Sequence, residues 1–176
     1  MAGKTGCVRY CVGEVCMSNI LIAYFSTKGN TKALAEKIAD ITGGELFEIV
    51  PKFKYSKVDL NWINKNSRSS IEMKDPASRV EIESKLDDVG CYDTIFIGFP
   101  IWWYVAPHII NSFLEQYDFK GKKIHLFATS GTSGIGDSQA ELIPSAPDAV
   151  WGKAERFPVH VSMDKLEKWV SECLEV

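Results

Sequence analysis

Three short stretches carry the residue types that could do chemistry. The first, Ser26-Thr27-Lys28-Gly29-Asn30-Thr31, gathers hydroxyls, a cation and a glycine directly behind the apolar run Ile20 to Phe25. The second, Pro100-Ile101-Trp102-Trp103-Tyr104, sets three adjacent aromatic rings behind a proline. The third runs from Thr129 through Ser130, Gly131, Thr132, Ser133 and Gly134 to Gly136, so that hydroxyls alternate with glycines. No Ser/His/Asp arrangement, H-E-x-x-H or C-x-x-C accompanies them, and no acid–base dyad stands out. The chemistry on offer is that of holding a ligand. An anion suits the first stretch, a planar group the second and a polar ligand edge the third.

The elements that must position these stretches follow from hydrophobic spacing. Residues 20–25 are apolar on both pleat faces, as in a strand covered on both sides, and from Asn30 the apolar positions become Leu34, Ile38 and Ile41. The junction therefore reads strand, loop, helix, with the helix ending at Gly43-Gly44 in a left-handed cap. The first backbone N–H groups of such a helix lack partners, and its dipole adds about half a positive charge there. Gly29 lets the backbone curl around the bound group, which is best a phosphate. A nucleotide P-loop is excluded because the first glycine and the terminal Gly-Lys-Ser/Thr are missing. A G-x-G-x-x-G fingerprint is excluded because Gly29 is the only glycine between Gly13 and Gly43. A receiver domain would need an aspartate after the third strand, where Gly98-Phe99-Pro100 stands.

Strands are expected over Leu46 to Val50, Thr94 to Gly98, Lys123 to Thr129 and Val150 to Phe157, the last an edge strand interrupted by charge. Helices are expected over Ala77 to Val89, from Pro107 through Ile109, Ile110, Phe113, Leu114 and Tyr117, over 137–143 ending at Pro144, and at the C-terminus behind an Asp164/Glu167 capping box. His108 is expected at the surface or as a cap, and His125 as a structural residue inside its strand. Alternation of this kind gives an α/β fold with a doubly wound five-stranded parallel sheet, order 2-1-3-4-5, and helices on both faces. Ligands of such sheets lie beyond the carboxyl ends of the strands, where the winding reverses. Residues 51–77 are expected as a long loop in which Tyr55 and Trp62 are read as packing anchors in preference to parts of a lid over a ligand.

The first stretch resembles the phosphate loop of flavodoxins, hydroxyl-x-hydroxyl-Gly-Asn-Thr, with Lys28 where a hydroxyl is usual and its charge expected to serve instead. The Gly-x-Pro-Ile-Trp-Trp stretch resembles the flavin-contacting loop of small flavodoxin-like proteins and quinone reductases, and the loop after Thr129 resembles the one that grips the flavin pyrimidine edge. The likeness covers residues 19–176 and implies FMN as cofactor. It implies cofactor binding by Ser26, Thr27, Lys28, Gly29, Asn30, Thr31, Pro100, Ile101, Trp102, Trp103, Tyr104, Thr129, Ser130, Gly131, Thr132, Ser133 and Gly134. Trp102 or Trp103 is expected against the flavin, and Tyr104 is read equally as ligand contact or packing.

What the resemblance implies is an electron carrier that passes electrons between redox partners through an exposed flavin edge. The alternative is a small FMN-dependent NAD(P)H:quinone-type oxidoreductase, and a cofactor-free binding module comes third. The 176 residues, 45% of them hydrophobic, suit one domain, and a net charge of −3 without a polybasic tail or long apolar span argues against nucleic-acid and membrane partners. The five cysteines point to a reducing cytoplasm rather than to secretion. Residues 1–18 are set apart as an extension, and the Cys7, Cys11 and Cys16 spacing is expected to hold no metal. Residues 51–70 carry Lys52, Lys54, Lys57, Lys65 and Arg68 against Asp59, a net +4 that leaves −7 for the rest of the chain. Such a loop could steer an anionic partner towards the site.

Overall fold

The computed structural model describes residues 19–175. The extension and its three cysteines therefore lie outside the described residues. Five parallel strands, β1 (Ile20–Tyr24), β2 (Glu45–Glu48), β3 (Thr94–Pro100), β4 (Lys123–Thr129) and β5 (Val150–Phe157), form one sheet in the order β2-β1-β3-β4-β5. The helices are α1 (Asn30–Thr42), α2 (Arg68–Lys74), α3 (Ile109–Gln116), α4 (Ser138–Leu142) and α5 (Met163–Leu174). The expected sheet order is the one found.

Period-two alternation sorts the central strands onto two cores. Leu21, Ala23, Ile95, Ile97, Ile124 and Leu126 face Ile109, Ile110, Phe113 and Leu114 of α3. Ile22, Tyr24, Phe96, Phe127 and Phe157 face Leu34 and Ile38 of α1 and Leu166, Trp169 and Val170 of α5. Gly98 makes room for this second layer, since a Cβ there would lie 2.2 Å from the Phe127 ring. On β4, His125 stacks on Phe96 at 5.3 Å and its Nδ1 accepts the Lys153 N–H at 3.0 Å, beside the register shift between β4 and β5. Its Nε2 is buried without a partner among the described residues, and burial, with Lys123 and Lys153 nearby, lowers its pKa to about 4.

The expected helix over 77–89 is absent, and a helix stands at Arg68–Lys74 instead. Across 80–86 the backbone is claimed by distant partners: Val80 N–H donates to Ser112 Oγ, Glu83 N–H to the Val50 carbonyl and Leu86 N–H to the Tyr117 hydroxyl, while Pro51 bridges Ile82. Those bonds hold the segment extended and tuck Val80 and Leu86 inward. Helix α2 has its own local signals, a Ser67 cap accepting Ser70 N–H and an Arg68–Glu72 pair one turn apart. Three further expectations change. Helix α4 closes in a 3-10 turn over Ile143–Ser145 that contains Pro144. Helix α5 begins after Ser162 without a side-chain cap bond, so Asp164 lies in the first turn and the capping box does not form. His108 takes the N-cap position of α3 without a side-chain cap bond, and it is 8% exposed rather than superficial, because the chain from Ala106 to Ile109 dives into the core; its Nδ1 has no partner among the described residues.

Candidate functional site

The carboxyl ends of β1, β3 and β4 meet in a cavity of about 740 Å³. Its first wall is built by the β1–α1 loop. Gly29 has φ of 84°, in the left-handed region that glycine adopts without strain, and beyond its own chain neighbours no described residue comes within 4 Å of where a Cβ would stand. Conformation, not space, asks for glycine there. The turn is closed by Gly29 N–H donating to Ser26 Oγ at 3.1 Å, which leaves the Ser26 hydroxyl proton to point elsewhere. Helix α1 carries no acidic residue in its first turn, so no side chain of its own competes for the N-terminal field.

Thr31 and Thr129 join this wall to the end of β4. Their hydroxyl oxygens are 2.8 Å apart, both residues are buried, and both border the cavity. Each hydroxyl has one proton, so one threonine spends its proton on the pair and the other retains a proton for a ligand.

The second wall follows β3. Pro100 is the last strand residue, in register with Thr129, and Ile101 N–H donates to the Thr129 carbonyl at 3.0 Å. Trp102 and Val105 then exchange two backbone hydrogen bonds of 3.0 Å around Trp103 and Tyr104, whose φ values are 46° and 70°. Two positive φ angles between paired ends mark a type I′ turn, a conformation usually left to Asn and Gly. Holding two bulky aromatics in it costs on the order of 1–2 kcal/mol each, strain of the kind that collects at functional sites. Trp102 is fixed edge-on against Phe25 and Tyr55, with centroids at 5.7 and 5.3 Å, whereas Trp103 and Tyr104 are 43% and 70% exposed at the tip.

The third wall is the loop after β4. Ser130 Oγ donates to the Ser133 carbonyl, closing a short turn. Gly136, at φ 55°, brings its Cα so near the aromatic turn that a Cβ would lie 2.2 Å from the Tyr104 carbonyl oxygen. The two loops are therefore fitted to each other.

Of the residues singled out from sequence, Ser26, Thr27, Lys28, Asn30, Thr31, Pro100, Ile101, Trp102, Trp103, Tyr104, Thr129, Ser130, Gly131, Thr132 and Ser133 border the cavity. Gly29 and Gly134 do not, and Gly29 acts through the turn it permits. Leu60, Ser69 and Val159 complete the lining and were missed, and so does Trp62, for which the sequence reading favours packing over a place in a lid. Trp62 and Val159 follow β2 and β5, whose carboxyl ends face the same side in a parallel sheet, and that common side was the available signal. Tyr55 is an anchor as expected, packed on Phe25 and Trp102. Trp62 is not: it is 70% exposed, because the turns of its loop hold it at the cavity rim rather than beneath. Among the described residues, Lys28 is the one charged side chain of the lining, which contains no carboxylate, imidazole or thiol. In the basic loop, Lys52 pairs with Glu81 at 2.8 Å and Arg68 with Glu72 at 2.7 Å. That leaves Lys54, Lys57 and Lys65 without an ion pair among the described residues.

Comparison with known proteins agrees with this architecture. The sequence profile of the family described as Flavodoxin matches residues 19–173. A flavodoxin from Maridesulfovibrio salexigens is 30% identical over 157 residues, covering 86% of each chain. Among solved structures, a candidate flavoprotein from Bacteroides eggerthii superposes with a TM-score of 0.83 at 44% identity, over 88% of this chain and 97% of that one. A Lactobacillus acidophilus flavoprotein in complex with FMN shares the fold, with a TM-score of 0.59 at 24% identity over 85% and 97% of the two chains. No helix among the described residues is long and apolar enough to cross a membrane.

Proposed function

Because the chain belongs to the flavodoxin family, we propose that it is an FMN-binding electron-transfer protein that works through a flavin seated in the cavity between the β1, β3 and β4 loops. One observation carries this reading: the lining combines hydroxyls at a helix N-terminus, one cation and a cluster of aromatic rings, with no carboxylate, imidazole or thiol. Such a lining suits a phosphorylated planar cofactor, and its hydroxyls and the Lys28 amine have no carboxylate or imidazole of the lining beside them to activate them for acid–base or nucleophilic work.

The residues present fit the cofactor. Ser26, Thr27, Asn30, Thr31 and the ammonium of Lys28 surround the position for the phosphate, with the first turn of α1 behind it. The pair of threonine hydroxyls supplies a buried donor fixed by its partner. Trp102, Trp103 and Tyr104 offer ring faces and edges for the isoalloxazine, and the 129–134 loop offers small polar groups for its pyrimidine edge. Bound FMN supplies the redox chemistry itself. The protein's part is to seat the phosphate, orient the ring, keep water from its faces and leave an edge open to a partner.

A small NAD(P)H:quinone-type oxidoreductase is the second reading. Favouring it is the exposure of Trp103 and Tyr104 beside the cavity, apolar planes against which a second flat ligand could lie. Reduction assays with NAD(P)H and a quinone separate the two. Bound flavin with negligible turnover supports the carrier, rapid turnover supports the enzyme, and purified protein that takes up no FMN overturns both.

A further inference from the structure

We propose that Trp62, on the loop between β2 and α2, is the second planar wall of the flavin site, closing on the ring from the side opposite the aromatic turn. This rests on FMN occupying the cavity and adds a contact that the three loops above do not supply.

Four aromatic residues border the cavity, and three of them are consecutive members of one turn. The phosphate loop and the loop after β4 contribute hydroxyls, an amide, a cation and a glycine but no ring. A flat ligand lying on the turn is thus met by one further aromatic side chain, the indole of Trp62. Trp102 has little freedom to serve both faces, since Phe25 and Tyr55 pack against it edge-on at interplanar angles of 81° and 83°.

Trp62 itself is 70% exposed, whereas Trp169 in the core is 7% exposed. A large apolar surface left in water forgoes the gain that burial would bring. The loop holding it there is not slack. Asp59 accepts both the N–H and the hydroxyl of Ser56, at 2.8 and 2.7 Å. The Asp59 carbonyl in turn accepts the N–H and hydroxyl of Ser69, at 3.0 and 2.6 Å, and Ser69 is itself a buried residue of the lining. Arg68 donates to the Phe53 carbonyl and lies 4.1 Å over the Tyr55 ring. Tyr55 touches Trp102, so one brace positions both aromatic walls. Pre-organised apolar surface at a cavity rim is what a planar ligand covers with least ordering cost.

The test is titration of the full chain, freed of flavin, with FMN and separately with riboflavin, for the parent, Trp62→Ala and Trp62→Phe. Because Trp62 is exposed, thermal unfolding of the flavin-free variants should match the parent. Trp62→Ala should weaken both ligands by the same factor, about tenfold, the scale of a lost stacking contact. Trp62→Phe should recover most of it. Equal loss for the two ligands identifies a ring contact, since riboflavin lacks the phosphate. If the parent binds FMN and Trp62→Ala binds FMN and riboflavin as tightly as the parent, the wall assignment is wrong. The same holds if the variant is impaired only in exchange with a partner protein, in which case the loop is a docking surface. Failure of the parent to bind FMN at all would instead overturn the cofactor assignment on which the proposal stands.

Discussion

Thr31 Oγ1 and Thr129 Oγ1 lie 2.8 Å apart, joining the start of α1 to the end of β4 across 98 residues of sequence. The pair places a hydroxyl proton at the seam of two loops, and neither threonine does this alone. Replacing Thr31 by Val should weaken FMN binding by about 1.5–3 kcal/mol, the range for a hydrogen bond to a charged group. Thr129→Val should have a similar effect, and the double variant should lose much less than the two added together, because one unit is being removed twice. Calorimetric titration of the three variants checks this; strict additivity would mean that the hydroxyls act separately.

The aromatic turn is predicted to trade stability for binding. Substituting Asn for Trp103 together with Gly for Tyr104 gives the residues a type I′ turn prefers, and should raise stability by roughly 1–2 kcal/mol while lowering flavin affinity. Denaturant unfolding without flavin reads the first effect and absorbance titration the second. A destabilised variant would show that the two exposed rings contribute packing that outweighs the strain.

His125 predicts a pH dependence. Its folded-state pKa of about 4 lies below the ordinary 6.5, so between those values the unfolded chain binds more protons than the folded one, and stability rises with pH. The contribution is fully present above about pH 6.5, falls through the window and is lost below about pH 4, a total on the order of 3 kcal/mol. Denaturant unfolding from pH 4 to 7 should therefore slope more steeply for the parent than for His125→Gln. Parallel curves would mean that the imidazole titrates alike in both states.

Much of the fold was legible because it is written in local periods. The switch from an apolar run to helical spacing at Asn30, and the glycine cap at Gly43 with φ of 65°, locate α1 from sequence alone. What could not be read depends on partners far along the chain. Val80, Ile82, Leu86 and Val89 satisfy a helical pattern, yet Ser112, Val50 and Tyr117 take the backbone groups that a helix would need. Likewise the site loops announce themselves by composition, whereas the contact of Thr31 with Thr129 and the seating of Trp62 at the rim follow from tertiary geometry. The positive φ angles of Trp103 and Tyr104 run against propensity, and no sequence rule would have proposed them.

Binding of FMN in this cavity by its phosphate and its ring together is tested by comparative titration of the flavin-free full chain with FMN and riboflavin, followed by visible absorbance and flavin emission. FMN should bind saturably with quenched emission, riboflavin should bind at least about tenfold more weakly, and the difference between the two ligands should shrink in Thr31→Val. Equal affinity for FMN and riboflavin, or no spectral change with either, would contradict that mode of binding.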